Sequence, residues 1–165
     1  MGVKSAANRA TLGVIILLLP LAGCGGGEPL PFKSTTPPNP AGNLPTVDLK
    51  IGDVPVTVEV AREENDIRRG LMFRRSLPRD RGMIFIFPDE DYRRFWMKNT
   101  RIPLDILFVK QDGTISHTAQ MKPLDKTPVS SRYKVKYVLE LNRGWLGENH
   151  VQVGDKIELA PLTEQ

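Results

Sequence analysis

A single cysteine, Cys24, stands among the 165 residues, so no internal disulfide and no thiolate metal cluster can hold this chain together. Histidine is almost as scarce: His117 and His150 are too few and too far apart for a histidine-rich metal centre. No Gly-x-Ser-x-Gly elbow, phosphate loop, dinucleotide fingerprint or calcium loop occurs, and no cofactor is expected. Ser116 and His117 are neighbours in an extended segment and point to opposite faces, which makes them a poor nucleophile–base pair. The chain has no internal repeat and no apolar run long enough to span a bilayer as a helix. A net charge of +4, with acids interspersed among the bases, is too weak to argue for nucleic acid.

What is present begins at the N-terminus. Lys4 and Arg9 precede an apolar stretch from Thr11 to Leu19, and small residues then lead into Cys24, the layout of a secretory signal. Leu21-Ala22-Gly23-Cys24 resembles a bacterial lipobox. That resemblance implies removal of residues 1–23 and lipidation of Cys24; the plainer alternative is an ordinary signal or short anchor with an incidental cysteine. Cleavage would take two of the 23 basic side chains and none of the 19 acidic ones, so the net charge would fall from +4 to +2. The expected partner is then the membrane itself, held through the lipid. Gly25 follows the cysteine, and resemblance to sorted lipoproteins places the protein on the outer membrane facing the periplasm in a two-membrane cell. In a one-membrane cell it would sit on the outer face of the cell membrane.

Residues 24–45 read as a tether. Three consecutive glycines are followed by Pro29, Pro31, Pro37, Pro38, Pro40 and Pro45, with little apolar surface to bury. Extended, such a segment reaches about 60–70 Å. Residues 46–162 have the length of one domain. Val47, Leu49 and Ile51, then Val54, Val56, Val58 and Val60, alternate with polar residues about Gly52-Asp53, as a β-hairpin requires. Pro55 lacks an N–H and points to a sheet edge. Acids lead and bases follow around Ile67 and Leu71, the order a short helix ending near Gly70 prefers. Met83 to Phe87 and Ile102 to Val109 are continuous apolar runs that read as buried strands, the first closed by Pro88. Asp112-Gly113 is a hairpin turn signal. A further strand covers Val135 to Leu141, a helical turn or two spans Trp145 to His150, and Val151 to Leu159 closes the domain as a strand pair or as a strand plus turn. Seven or so strands and one or two short helices predict a mainly β fold, a compact sandwich or barrel.

Three places carry candidate chemistry. Phe95-Trp96-Met97-Lys98-Asn99-Thr100 sets large apolar side chains beside an ammonium, an amide and a hydroxyl. If extended, it turns Trp96, Lys98 and Thr100 to one face and Phe95, Met97 and Asn99 to the other. A flat aromatic beside hydrogen-bonding groups suits a sugar, a peptide backbone or a small polar ligand; the alternative is that Trp96 plugs the fold while Lys98 pairs with a structural carboxylate. Asp105 interrupts an apolar strand and must be paired or neutral, with Arg69, Lys98 or Arg101 as partners. It is either a general acid or base, or half of a buried ion pair. Glu140 lies on the polar face of its strand, where a solvated or cross-strand-paired carboxylate is the default, yet it could join Asp105 as a glycosidase-type pair. The paired arginines at 68–69 and 74–75 could grip an anion or line a solvated face.

Arg69-Gly70-Leu71-Met72-Phe73-Arg74, Gly82-Met83-Ile84-Phe85-Ile86-Phe87, Phe95 to Thr100 with Ile102-Pro103-Leu104-Asp105, Tyr137 to Asn142 with Gly144, and Gly154-Asp155 follow one another in order. Together they resemble the family known as domain of unknown function 192, across about Val54 to Leu159. The resemblance implies a compact, mainly β sandwich of jelly-roll type that is often exported, and it brings no catalytic role with it. The function expected is therefore a membrane-tethered, non-catalytic binding module of the cell envelope, with Trp96, Lys98, Asn99, Thr100 and Arg69 as ligand-binding residues. The alternatives are an envelope hydrolase using Asp105 and Glu140, or an accessory factor for another envelope protein.

Overall fold

The computed structural model describes residues 44–163. The signal segment, Cys24 and nearly all of the tether lie outside those residues. Among the described residues no helix is long and apolar enough to cross a membrane. Six strands and three short helices follow in order: β1 (Thr46–Ile51), β2 (Val54–Ala61), α1 (Glu64–Arg69), β3 (Arg81–Phe95), β4 (Leu104–Val109), β5 (Ile115–Met121), β6 (Val129–Asn142), α2 (Trp145–Glu148) and α3 (Ala160–Thr163). The expectation of a mainly β domain holds, with three helices among the described residues in place of one or two.

All six strands share one sheet, in the order β1-β2-β3-β6-β4-β5, which does not close into a barrel. Every neighbouring pair is antiparallel except β2 and β3. The hairpin read around Gly52-Asp53 is β1–β2, but β2 is an interior strand despite Pro55. The reason is register: β3 begins opposite Thr57, so Pro55 lies beyond the reach of β3 and its missing N–H leaves no gap in that ladder. Pro88 likewise does not end β3, because the ladder with β6 shifts between Ile86 and Asp91 and absorbs it as an irregularity. The segment expected as a last strand makes only isolated bridges, Ile51 with Ile157 and Thr114 with Lys156. Those bridges join the two ends of the sheet. Gly52 N–H donates to the Lys156 carbonyl at 2.9 Å and Ile115 N–H to the Asp155 carbonyl at 2.9 Å, so one short segment pins β1 and the start of β5 together.

Alternation along the strands sorts the apolar side chains into two clusters on opposite faces. Ile84, Leu107 and Leu139 belong to the first, which also takes in β1, β2, Trp145 and Ile157. Their strand neighbours Phe85, Phe108 and Val138 belong to the second, with Leu71, Met97 and Ile106. Each fully buried side chain of this size contributes about 1.5–3 kcal/mol. The first face is closed by the sheet's own ends and by α2 and α3. The second is covered by α1 and by the loop that follows β3, and there the packing leaves a pocket.

Candidate functional site

The pocket has a volume of about 580 Å³ and lies between the end of α1, the outer half of β3 and residues 96–100. Its floor is β6. Glu140 stands directly opposite Ile106 on β4 and Met83 on β3, so the three side chains share the second face of the sheet. Phe85, Phe87, Phe95, Ile67 and Leu71 form the apolar walls. The rings of Phe85 and Phe95 meet edge to face at 5.0 Å.

Local backbone chemistry sets the mouth. Helix α1 has acids in its first turn and bases in its last, as its dipole prefers, and ends at Gly70 with φ of 48°. A Cβ at Gly70 would come within 3.3 Å of the Phe85 ring, so glycine both makes the turn and lets the chain lie close over the aromatic wall. Opposite, the 96–100 segment is held on two sides. Phe73 N–H donates to the Asn99 carbonyl at 2.9 Å, Leu124 N–H donates to the Thr100 carbonyl at 2.9 Å, and Met97 N–H donates to the Asp125 carbonyl at 2.8 Å. Phe73, Asn99 and Leu124 all have left-handed φ, and Phe73 is 67% exposed. Phe73, the neighbour of pocket-lining Met72, is thus a large apolar side chain in an uncommon backbone conformation and left in solvent.

The expected ligand-binding residues meet here. Arg69, Trp96, Lys98, Asn99 and Thr100 all line the pocket, and so does Glu140. Trp96 is 49% exposed, and the Lys98 ammonium sits 5.6 Å from its ring centroid, so Trp96 is not a core plug and Lys98 is not held by a carboxylate among the described residues. The simple extended alternation fails at Asn99, whose left-handed φ resets the phase: Asn99 is exposed and Thr100 is buried. Arg68 pairs with Glu64, and Arg74 makes a two-pronged, half-buried pair with Glu59, with Nη2 to Oε2 at 2.6 Å.

The two carboxyls expected to be a pair are separated by the sheet. Asp105 stands opposite Leu141, one residue out of phase with the Ile106–Glu140 pair, so it faces the first cluster. Its hydrogen-bond partners among the described residues are backbone N–H groups. Asp105 Oδ2 accepts from Gly144 N–H at 2.9 Å and Leu146 N–H at 3.3 Å and so anchors the turn into α2. A glycosidase pair is excluded by this geometry, since both carboxyls would have to reach one substrate. Glu140 is likewise not a solvated side chain: it is 5% exposed. Burial pushes its carboxyl up to about 8, with no hydrogen bond or charge from the described residues offsetting the shift. The signal for this was legible: Val138, which shares the face of Glu140, is apolar, so the strand carries no polar face there.

Sequence reasoning did not single out Tyr92, Arg93 or Arg94, which the irregular outer half of β3 brings to the pocket wall. Arg93 lies over the Phe87 ring at 4.1 Å and donates to Asp89 Oδ1 at 2.7 Å. Among the described residues no three His, Cys, Asp or Glu side chains gather as a metal site requires. What the arrangement offers is a half-open apolar cleft with cations at its mouth and one uncharged acid at its floor.

The family model DUF192, described as uncharacterized ACR, matches residues 47–159. Two solved structures are similar over most of the domain. A candidate transcription regulator from Sinorhizobium meliloti is 36% identical, with a TM-score of 0.66 over 71% of this chain and 97% of that one. A protein of unknown function from Novosphingobium aromaticivorans is 35% identical, with a TM-score of 0.68 over 72% and 89%. No curated protein matches the chain.

Proposed function

This chain belongs to the DUF192 family, and we propose that it is a non-catalytic binding module, tethered to the cell envelope, whose pocket holds an envelope component: a glycan, a peptide segment or a small polar ligand. The observation that carries the reading is the meeting of Trp96, Lys98, Asn99, Thr100 and Arg69, from two separate segments, around one cavity of about 580 Å³. A cavity of that size with mostly apolar walls and a few polar groups is what small-ligand sites have. The envelope part of the proposal rests on the signal-like N-terminus and the Gly/Pro-rich tether, which would give the domain reach and keep it near its ligand. The hydrolase reading loses its support, because its two carboxyls occupy opposite faces of the sheet.

The test is photo-crosslinking in living cells with the reactive group at position 98, followed by mass spectrometry. A single recurrent adduct, lost on Trp96→Ala, is the expected result and names the ligand. A blank from a variant that folds and localises normally would sink the proposal.

A further inference from the structure

We infer that the pocket takes an elongated organic anion, with a carboxylate at the mouth beside Lys98 and Arg69, an apolar body along the phenylalanine walls, and an uncharged acceptor oxygen at the floor that receives the proton-bearing carboxyl of Glu140. This rests on the pocket reading above and names the chemical class of its ligand.

Three observations converge on it. The first is an unanswered donor. A protonated carboxyl has one O–H to give, and no hydrogen bond from the Glu140 carboxyl to another described residue offsets its burial. A buried polar group left without a partner is costly in a folded chain; one that lines a cavity is placed to meet a ligand. The second is the separation of charge along the pocket. Arg68, Arg69, Arg93, Arg94 and Lys98 line it, and Glu140 is its sole acidic residue among those described. Arg68, Arg94 and Lys98 are exposed whereas Glu140 is 5% exposed, so the cations stand toward the mouth and the acid lies inside, among the apolar walls. The third is that layer itself: Phe85, Phe87, Phe95, Ile67 and Leu71 would exclude water along the body of a bound molecule and would make a second, deeply buried charge expensive. A ligand that matches is charged at one end and neutral at the other.

The same arrangement makes occupancy depend on pH. The charged and titratable groups that share the pocket with Glu140 are Arg68 and Arg69 from α1, Tyr92, Arg93 and Arg94 from β3, and Lys98 from the loop after it; the other described pocket residues carry none. As Glu140 loses its proton the floor changes from donor to anion and turns away an acceptor oxygen. With a midpoint at about 8, about 3% of chains keep the proton near pH 9.5, so the affinity of a ligand that needs it should fall about 30-fold relative to pH 6.5.

A matched trio of probes tests this on the full chain by calorimetric titration: 4-acetylbenzoate, 4-ethylbenzoate, which lacks the acceptor, and 4-acetylbenzamide, which lacks the charge. Expected is that 4-acetylbenzoate binds at least tenfold more tightly than either relative near pH 6.5. Its affinity should fall about 30-fold near pH 9.5, while that of 4-ethylbenzoate should not. Glu140→Gln keeps a donor at the floor and cannot ionise, so it should retain 4-acetylbenzoate and lose the pH dependence. A wild-type-like fall in that variant overturns the inference, as does equal binding of the neutral amide or the ethyl compound. Should the variant fail to fold, carbon-detected NMR of the Glu140 carboxyl in the wild-type chain reads the same contact, since saturating 4-acetylbenzoate should move its midpoint upward; no movement overturns the inference. If none of the three binds while the crosslink at position 98 recurs, the ligand class is wrong and the pocket reading stands. If both fail, the pocket reading falls with it.

Discussion

Asp105 and Glu140 are both buried carboxyls on neighbouring strands, one position out of phase, and they have become opposite things. On the first face, one oxygen of Asp105, Oδ2, accepts from two backbone N–H groups and holds the turn into α2, while its buried Oδ1 has no hydrogen-bond partner among the described residues. On the second, Glu140 meets a cavity and keeps its proton. The lesson is that burial alone does not mark a functional acid. A carboxyl supplied with backbone donors is part of the scaffold, whereas one left without them beside a void is available to something else. The two faces differ in the same sense. The first is closed by the sheet's own ends, while the second is covered by a short helix and loops that fall short of filling it.

The largest effect that would sharpen this comparison is on stability against pH. Glu140 has a folded-state pKa raised from the usual 4.5 to about 8 by burial, so the folded chain holds a proton that the unfolded chain gives up. Stability from this group is therefore fully present below about pH 4.5 and is lost as pH rises through about 8, by up to about 5 kcal/mol as an upper bound. Urea unfolding of wild type and Glu140→Gln across pH 5–9 checks it: the variant should overtake the wild type toward pH 9, and parallel curves would break the comparison. Next in size, Asp105→Ala leaves two buried N–H groups without an acceptor and should cost about 2–4 kcal/mol. That loss should leave binding of 4-acetylbenzoate by the surviving folded fraction unchanged; a shift in affinity would mean the two faces are coupled.

Smaller again is Gly113→Ala. Gly113 has φ of 85°, and a Cβ there would lie 2.5 Å from the Ile157 carbonyl, in the segment that pins the ends of the sheet. The left-handed conformation alone should cost about 1–2 kcal/mol, seen as a lower urea midpoint, again with the pocket untouched. Smallest is Trp96→Ala, whose half-exposed ring should change stability by less than about 0.5 kcal/mol. It should nonetheless remove the crosslink at position 98. A large stability loss instead would return Trp96 to the core.

Much of the framework was legible residue by residue. The alternation from Val47 to Val60, the acid-to-base order before Gly70 and the Asp112-Gly113 turn are local signals, and the observed elements follow them closely. That Trp96, Lys98, Asn99 and Thr100 meet at one pocket was also foreshadowed, because two aromatics stand within a few positions of an ammonium, an amide and a hydroxyl. Misreadings arose where a neighbour outside the local segment decides the outcome. Pro55 suggests an edge until the start of β3 is known, and Pro88 suggests a strand end until the ladder shift beside it is known. Glu140 looks solvated only if the far face of its strand is assumed to be wet.

By itself, then, the sequence determined the strand and turn pattern, the mainly β class, the family and the residue types at the mouth of the site, since these depend on periodicity and on chemistry within a few positions. Which face each carboxyl occupies, and what meets it there, was decided by tertiary structure. Sheet register carries that information: a shift of one residue exchanges the two faces, and the partners that set it lie many residues away along the chain.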